Sequence, residues 1–248
     1  FIAMEYVEGF DLNQLLRELS RSRVPLPAEF AVFMVREVLA ALGYAHRMSD
    51  DQGQLLGLVH RDVSPSNVLI SFEGEVKLCD FGIARALHVS DELAEEGADE
   101  EQAVERSRVV GKSAYMAPEH ARGETIDARA DLFAAGVLLW ELCAGRRMYQ
   151  GNEEERMNLA RMGQVPEFPH RGLPAEDKLR ALLARALAPR PAERFRNAAQ
   201  MLEALDDYAF ETRLMASQLR FGTFLTDNFA SRILQMRRER EVADTAVP

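Results

Sequence analysis

The order of hydrophobic and polar positions divides the chain into a few strands and many helices. Residues 1–7 (FIAMEYV) are mostly apolar and run into Gly9, which predicts a buried strand leaving into a turn. Between 11 and 19, Leu12, Leu15, Leu16 and Leu19 recur at helical spacing, and Val24-Pro25-Leu26-Pro27 ends that helix. Residues 28–47 predict a long apolar helix with Phe30, Phe33, Met34, Val38, Leu42 and Tyr44 turned inward. After a polar turn at 50–57, two short strands at 68–71 and 75–78 flank a turn at Glu73-Gly74. Residues 128–143 are apolar on nearly all sides, the pattern of a central buried helix. Further helices are predicted at 153–162, 176–187 and 198–210, and no internal repeat is visible. The order implies an α+β chain, mostly α, with short β-ribbons.

Composition narrows the function classes. The 248 residues are 47% hydrophobic and 28% charged, enough for one sizeable core or one domain with an appendage. A net charge of −10 argues against non-specific nucleic-acid binding. Cys79 and Cys143 are the only cysteines, too few for a disulfide framework or a zinc site, so a reducing, cytoplasmic setting is expected. No apolar run approaches the roughly 18 residues of a membrane span, and no signal segment opens the chain. Residues 91–105 carry eight acids and no base, the signature of a solvated insertion; a docking role for basic partners is the alternative. Lysine occurs only at Lys77, Lys112 and Lys178. The chain opens at Phe1, inside what reads as a strand, so a fragment or a truncated or processed product is expected.

Three motifs carry chemistry. His60-Arg61-Asp62-Val63-Ser64-Pro65-Ser66-Asn67 is followed by Asp80-Phe81-Gly82 and then Ala117-Pro118-Glu119. Each tripeptide alone is weak, but Asn67 lies five residues after Asp62 and Asp80 thirteen after Asn67. That order and spacing resembles the catalytic loop and metal motif of protein kinases. The chain is similar to bacterial members of the eukaryotic-type (Hanks-type) serine/threonine kinase family over about residues 1–208.

The resemblance implies a protein-kinase-like large helical lobe that uses ATP and Mg2+. Phosphoryl transfer asks a protein for positioning and charge neutralisation. By resemblance, Asp62 accepts the proton of the substrate hydroxyl, and Asn67 and Asp80 hold magnesium with oxygen donors. Met4, Glu5 and Val7 form the hinge that receives adenine, Asp11 stands near the ribose, and Leu69 is the floor under the base; plain core is the alternative for Met4 and Leu69. Asp131 braces the catalytic-loop backbone, and Glu119 pairs with Arg194 beneath the substrate loop. Arg61 would receive a phosphate on the activation segment, with Ser107 the best acceptor and Ser113 the second. His60 invites a general-base reading, but the resemblance makes it a packing residue. Cys79 reads as a small apolar strand residue rather than a redox switch. Gly111-Lys112-Ser113 imitates the end of a Walker loop, yet Arg106 stands where that motif needs glycine.

The implied domain plan is a last small-lobe strand and hinge at 1–9, a large lobe at 10–208 with the acidic insertion at 91–105, and a C-terminal extension at 209–248. No G-x-G-x-x-G occurs, and no lysine precedes the hinge, so the small lobe is expected to be absent. Two positions depart from the family pattern: Ser64 replaces the lysine two residues after the catalytic acid, and Lys112 replaces a threonine in the substrate loop. Lys112 is therefore a candidate to supply the charge that Ser64 lacks. Pro65 favours serine/threonine over tyrosine substrates. In the tail, Leu214, Phe221, Leu225, Phe229 and Ile233 fall near one helical face, ahead of Arg237-Arg238-Glu239-Arg240. Docking on the lobe or on a partner is expected, then a linker, then a membrane-surface helix, because acids interrupt the basic cluster. The leading expectation is a truncated kinase of protein substrates; the alternatives are a non-catalytic pseudokinase or protein-binding module and a small-molecule phosphotransferase. Ala117-Pro118-Glu119 with Arg194 argues against the last.

Overall fold

The computed structural model describes residues 5–81 and 113–245. Met4, the insertion 91–105, Ser107 and Lys112 lie outside the described residues.

The chain is built around one helix that has no solvent face. This helix, here α4 (Arg129–Ala144), is buried at every residue from Ala130 to Ala144. A helix apolar all round has to be enclosed. Its neighbours are α2 (Ala28–Ala45), packed on it from one side, and α6 (Glu176–Ala186), on another. α7 (Ala198–Thr212) closes over the far side of α2. Helix α1 (Leu12–Ser22) buries Leu12, Leu15 and Leu19. It begins at Asp11, whose side chain accepts from the Gln14 N–H while the Gln14 side chain accepts from the Asp11 N–H. That reciprocal pair is a capping box and satisfies two otherwise orphaned donors. Two shorter helices, α3 (Pro118–Ala121) and α5 (Glu153–Met162), lie between the substrate-loop motif and α6. The last helix, α8 (Gln218–Thr245), runs back across the lobe.

Three short strands form one antiparallel sheet in the order β1 (Gly9–Asp11), β2 (Val68–Ser71), β3 (Val76–Leu78). In register, Gly9 faces Ser71, Asp11 faces Leu69, and Leu69 faces Lys77. The strand expected at residues 1–7 is corrected over its described part: residues 5–8 are not strand, and among the described residues pairing begins at Gly9. The reason is steric. A Cβ at Gly9 would lie 1.8 Å from the Ile70 carbonyl oxygen, so only glycine lets the backbones pair there. A second correction concerns Tyr44, which is 69% exposed rather than inward. Two residues beyond the buried Leu42, it stands about 200° round the helix, on the opposite face.

Helix α8 packs through its apolar residues. Phe221, Leu225, Phe229 and Ile233 are buried. The Phe221 and Phe224 rings lie 5.0 and 4.9 Å from Phe30 of α2, and Phe229 stands edge-on to Phe10 of β1 at 6.0 Å. Among the described residues, no helix is long and apolar enough to cross a membrane.

Candidate active site

The loop between α2 and β2 carries Asp62, and a single buried carboxylate holds it from below. Asp131, in the first turn of α4, accepts from the His60 N–H at 2.8 Å and the Arg61 N–H at 2.9 Å. It also receives Nε2 of His46, at the end of α2, at 2.8 Å. Two peptide groups that face no strand or helix partner are thereby satisfied inside the lobe. Arg61 takes a left-handed backbone, φ +66, at the point where both its neighbours are pinned. Such a conformation costs a non-glycine residue on the order of 1–3 kcal/mol and persists only where the surroundings impose it.

Asn67 joins this loop to the strand that leads to Asp80. Its Nδ2 donates to the Asp62 carbonyl at 2.8 Å, and its own carbonyl accepts from the Cys79 N–H at 2.9 Å. The amide N–H is thus committed to the loop, which assigns Oδ1 as the lone-pair end. Asp80, directly after Cys79, is exposed and again left-handed at φ +58. Of the two residues read as metal donors, Asn67 is therefore one end of a backbone hydrogen bond and Asp80 directly follows its other end, Cys79.

His60 completes the junction. Nε2 faces the Cys79 carbonyl at 2.9 Å, which only a donor can satisfy, and Nδ1 accepts from the Asp62 N–H at 3.3 Å. The two contacts fix the neutral tautomer with hydrogen on Nε2. Burial lowers the imidazole pKa, which keeps it neutral. Its ring packs 4.5 Å from Phe81. His60 is a strut between loop and strand, with both nitrogens committed.

The other positions singled out from the sequence divide as follows. Asp11 and Leu69 are Cα partners across the sheet, so the two residues expected at the ribose and the adenine are side by side. One carboxylate oxygen of Asp11 is taken by the cap of α1. Glu5 and Val7 lie on the approach to β1, and Lys77 of β3 pairs with Glu5. Glu119 and Arg194 are 3% and 2% exposed and form a two-pronged pair at 2.6 and 2.7 Å. The same guanidinium donates to the carbonyls of Ala188, Arg129 and Pro189 and lies 4.9 Å over the Phe133 ring. Ser64 is buried, with Oγ 3.0 Å from Ser66 Oγ.

Sequence reading missed a third buried acid, Glu141. Glu141, on α4, accepts from the Tyr115 hydroxyl at 2.6 Å, Arg147 at 3.0 Å and the Met148 N–H at 2.9 Å. Arg147 also donates to the Tyr115 hydroxyl and to Asn13 of α1. Burial and the adjacent Glu141 charge push the Tyr115 phenol well up, so it stays a donor. The Ser113–Tyr115 turn ahead of α3 is thereby fastened to the central helix. A glutamate in an otherwise apolar helix was the available signal, since such an acid is buried only with partners.

Oxygen donors on a loop and a strand end suit a hard cation. Among the described residues, no cluster of three or more His, Cys, Asp or Glu gathers, as a self-sufficient metal cage would require. Magnesium in phosphoryl-transfer sites takes one or two protein donors and fills the rest with phosphate and water. The Asn67 and Asp80 pair fits that demand.

Comparison with known proteins gives one consistent family. The sequence profile described as "Protein kinase domain" matches residues 1–218. A tyrosine-protein kinase MasK of Myxococcus xanthus is 36% identical over 236 residues, covering 92% of this chain and 34% of that protein. Serine/threonine-protein kinase PknB of Mycobacterium tuberculosis is 32% identical over 204 residues, covering 81% and 29%. A probable serine/threonine-protein kinase PknB of Bifidobacterium longum is 35% identical over 201 residues, covering 81% and 26%. The chain therefore spans about a third or less of the length of these curated relatives. Among solved structures, the Mycobacterium tuberculosis PknI kinase domain superposes with a TM-score of 0.56 at 30% identity, covering 84% of this chain and 65% of that one. The fold is protein-kinase-like, mostly helical with a small three-stranded sheet.

Proposed function

The chain belongs to the protein kinase family, and from that premise we propose that it is the catalytic lobe of an enzyme that moves the γ-phosphoryl group of ATP to serine or threonine hydroxyls of proteins. The observation that carries the reading is the Asn67 lacing, which fixes the loop bearing Asp62 to the strand end bearing Asp80. Asp62 is the residue that takes the proton from the attacking hydroxyl. Magnesium, held through Asn67 and Asp80, would supply charge neutralisation on the phosphates. The Asp131 carboxylate holds the loop that carries Asp62 by accepting from the backbone N–H groups of His60 and Arg61. Glu5 and Val7 present the hinge edge to adenine, with Asp11 and Leu69 beside it.

Residues 1–248 are proposed to correspond to the hinge and large lobe, with 209–248 as a docked extension. The sequence has no glycine-rich loop and no lysine ahead of the hinge, so these residues alone lack most of the cradle for the β- and γ-phosphates. Incubated with ATP, magnesium and a basic protein substrate, they should show no turnover. Turnover that disappears on Asp62→Ala would overturn that expectation. The two free cysteines fit a reducing, cytoplasmic setting.

A second reading concerns the acceptor. Pro65 favours serine and threonine, while the likeness to a tyrosine-protein kinase favours tyrosine. Phosphoamino-acid analysis of substrate treated with the full-length enzyme decides it, with phosphoserine and phosphothreonine expected. Ser64 puts no charge beside Asp62, being a buried hydroxyl bonded to Ser66. Lys112 is proposed to supply that charge from the substrate loop. In the full-length enzyme, Lys112→Ala should cost about 2–4 kcal/mol of transition-state stabilisation. Ser64→Lys in the same enzyme should recover part of the loss, which a double-mutant cycle reads. An unchanged kcat in Lys112→Ala would end the idea.

A further inference from the structure

The approach to β1, read above as the nucleotide hinge, is held from outside by the end of α8. Arg237 forks onto Glu8, with Nε 3.2 Å from Oε1 and Nη2 3.1 Å from Oε2, and lies 3.8 Å from Glu73. Arg240 places its guanidinium 4.2 Å over the ring of Tyr6, a residue otherwise 63% exposed. Two fixed points upstream deliver these arginines. At the first, Gly222 of α8 meets the turn between β2 and β3. A Cβ on Gly222 would lie 2.6 Å from the Glu73 carbonyl oxygen, and one on Gly74 would lie 2.2 Å from the Gln218 carbonyl oxygen. The helix and the turn touch backbone to backbone because neither has a side chain there. At the second, Phe229 packs edge-on against Phe10, and its backbone leaves the helical region at φ −129, ψ 18. The kink marks the point where the rest of the helix is re-aimed, and Ile233 beyond it is still buried.

We propose that the last turns of α8 are a brace for the hinge, and that Arg237 is a positioning residue that sets nucleotide affinity without touching nucleotide. The hinge is then gripped on both sides, by Lys77 at Glu5 and by α8 at Tyr6 and Glu8. The Glu8 carbonyl meanwhile accepts from the Phe72 N–H at 3.0 Å, so a pull on residue 8 is passed to the sheet that carries Leu69. The contacts at Arg237 and Arg240 are exposed charge contacts, so they tune rather than create the site and weaken with salt. The brace itself is independent of the kinase reading; the effect on nucleotide affinity rests on it.

Hydrogen–deuterium exchange on the 248-residue chain tests the brace directly. In Arg237→Glu, amides of residues 6–9 should exchange faster, while the urea midpoint of the whole chain stays where it was. The charge-swapped chain, Glu8→Arg with Arg237→Glu, should restore protection, and Arg237→Lys should keep most of it. A merely bulky contact would show no such rescue. In the full-length enzyme carrying the same substitutions, titration with ADP and magnesium should give a dissociation constant raised about twofold to fivefold in Arg237→Glu, the range expected of an exposed ion pair. Unchanged exchange at residues 6–9 in Arg237→Glu overturns the brace, whatever ADP does. Faster exchange with unchanged ADP affinity overturns the control of nucleotide binding. Failure of ADP to bind the unsubstituted full-length enzyme counts against the kinase reading, and the exchange comparison still decides the brace.

Discussion

Glu119 and Arg194 are buried deeply enough that neither tolerates losing the other. Removing one partner of such a pair leaves an uncompensated charge and costs about 3–5 kcal/mol. Glu119→Ala should lower the urea midpoint by that equivalent, and Arg194→Lys should be nearly as harmful, because a single ammonium cannot match a fork that also serves three carbonyls. Glu176, at the start of α6, gives a pH prediction. Burial alone would raise its carboxyl, but the N–H groups of Arg171 and Leu173 and the Arg180 guanidinium outweigh that and hold it at about 2. A carboxyl lowered in the fold contributes stability above its unfolded pKa and loses it as pH falls through the folded one. Stability should therefore drop between about pH 4.5 and 2, and Glu176→Gln should flatten that acid limb in a pH series of thermal melts. At this scale the sequence was legible where spacing carries chemistry, as with Asp62, Asn67 and Asp80. It was not legible where a role depends on a partner far along the chain. His46 meets Asp131 across 85 positions and Tyr115 meets Glu141 across 26, and no local pattern announces either.

Among the elements, α4 does most to place the site. Its first turn supplies Asp131 to the loop that carries Asp62, and its last supplies Glu141 to the Ser113–Tyr115 turn. Asp131→Ala would orphan the N–H groups of His60 and Arg61, at about 1–3 kcal/mol for each unsatisfied group. Hydrogen exchange should then show faster exchange at residues 60–62 with α1 and α7 unchanged; unaltered protection at 60–62 would refute the bracing role. Helical periodicity found α1, α2, α4 and the three later helices to within a few residues, because burial of an apolar stripe or a whole helix leaves a strong pattern. Over the described residues 5–11 it misplaced the strand, because β1 is short and its pairing is decided by the close backbone approach at Gly9, not by apolar alternation. The capping box at Asp11 and Gln14 was readable from the Asp-x-x-Gln spacing. The kink at Phe229 was not, since no proline or glycine marks it.

At the scale of the whole molecule, helices crowd around α4 and leave Asp62, Asn67 and Asp80, the proposed catalytic residues, beside the ends of a small sheet. Rigid elements hold the positions, and loops hold the chemistry. The sheet gathers the parts: β1 carries the proposed hinge into Asp11, β2 begins right after Asn67 and carries Leu69, and β3 leads to Asp80. The proposed phosphoryl transfer depends on electrostatic positioning, so the loss of one placed group should cost about 10²–10³ in rate. The most direct measurement is turnover of MgATP and a protein substrate by the full-length enzyme, compared with its Asp62→Ala form. The account predicts a fall in kcat of at least about a hundredfold with the fold intact; near-normal turnover by Asp62→Ala would contradict it.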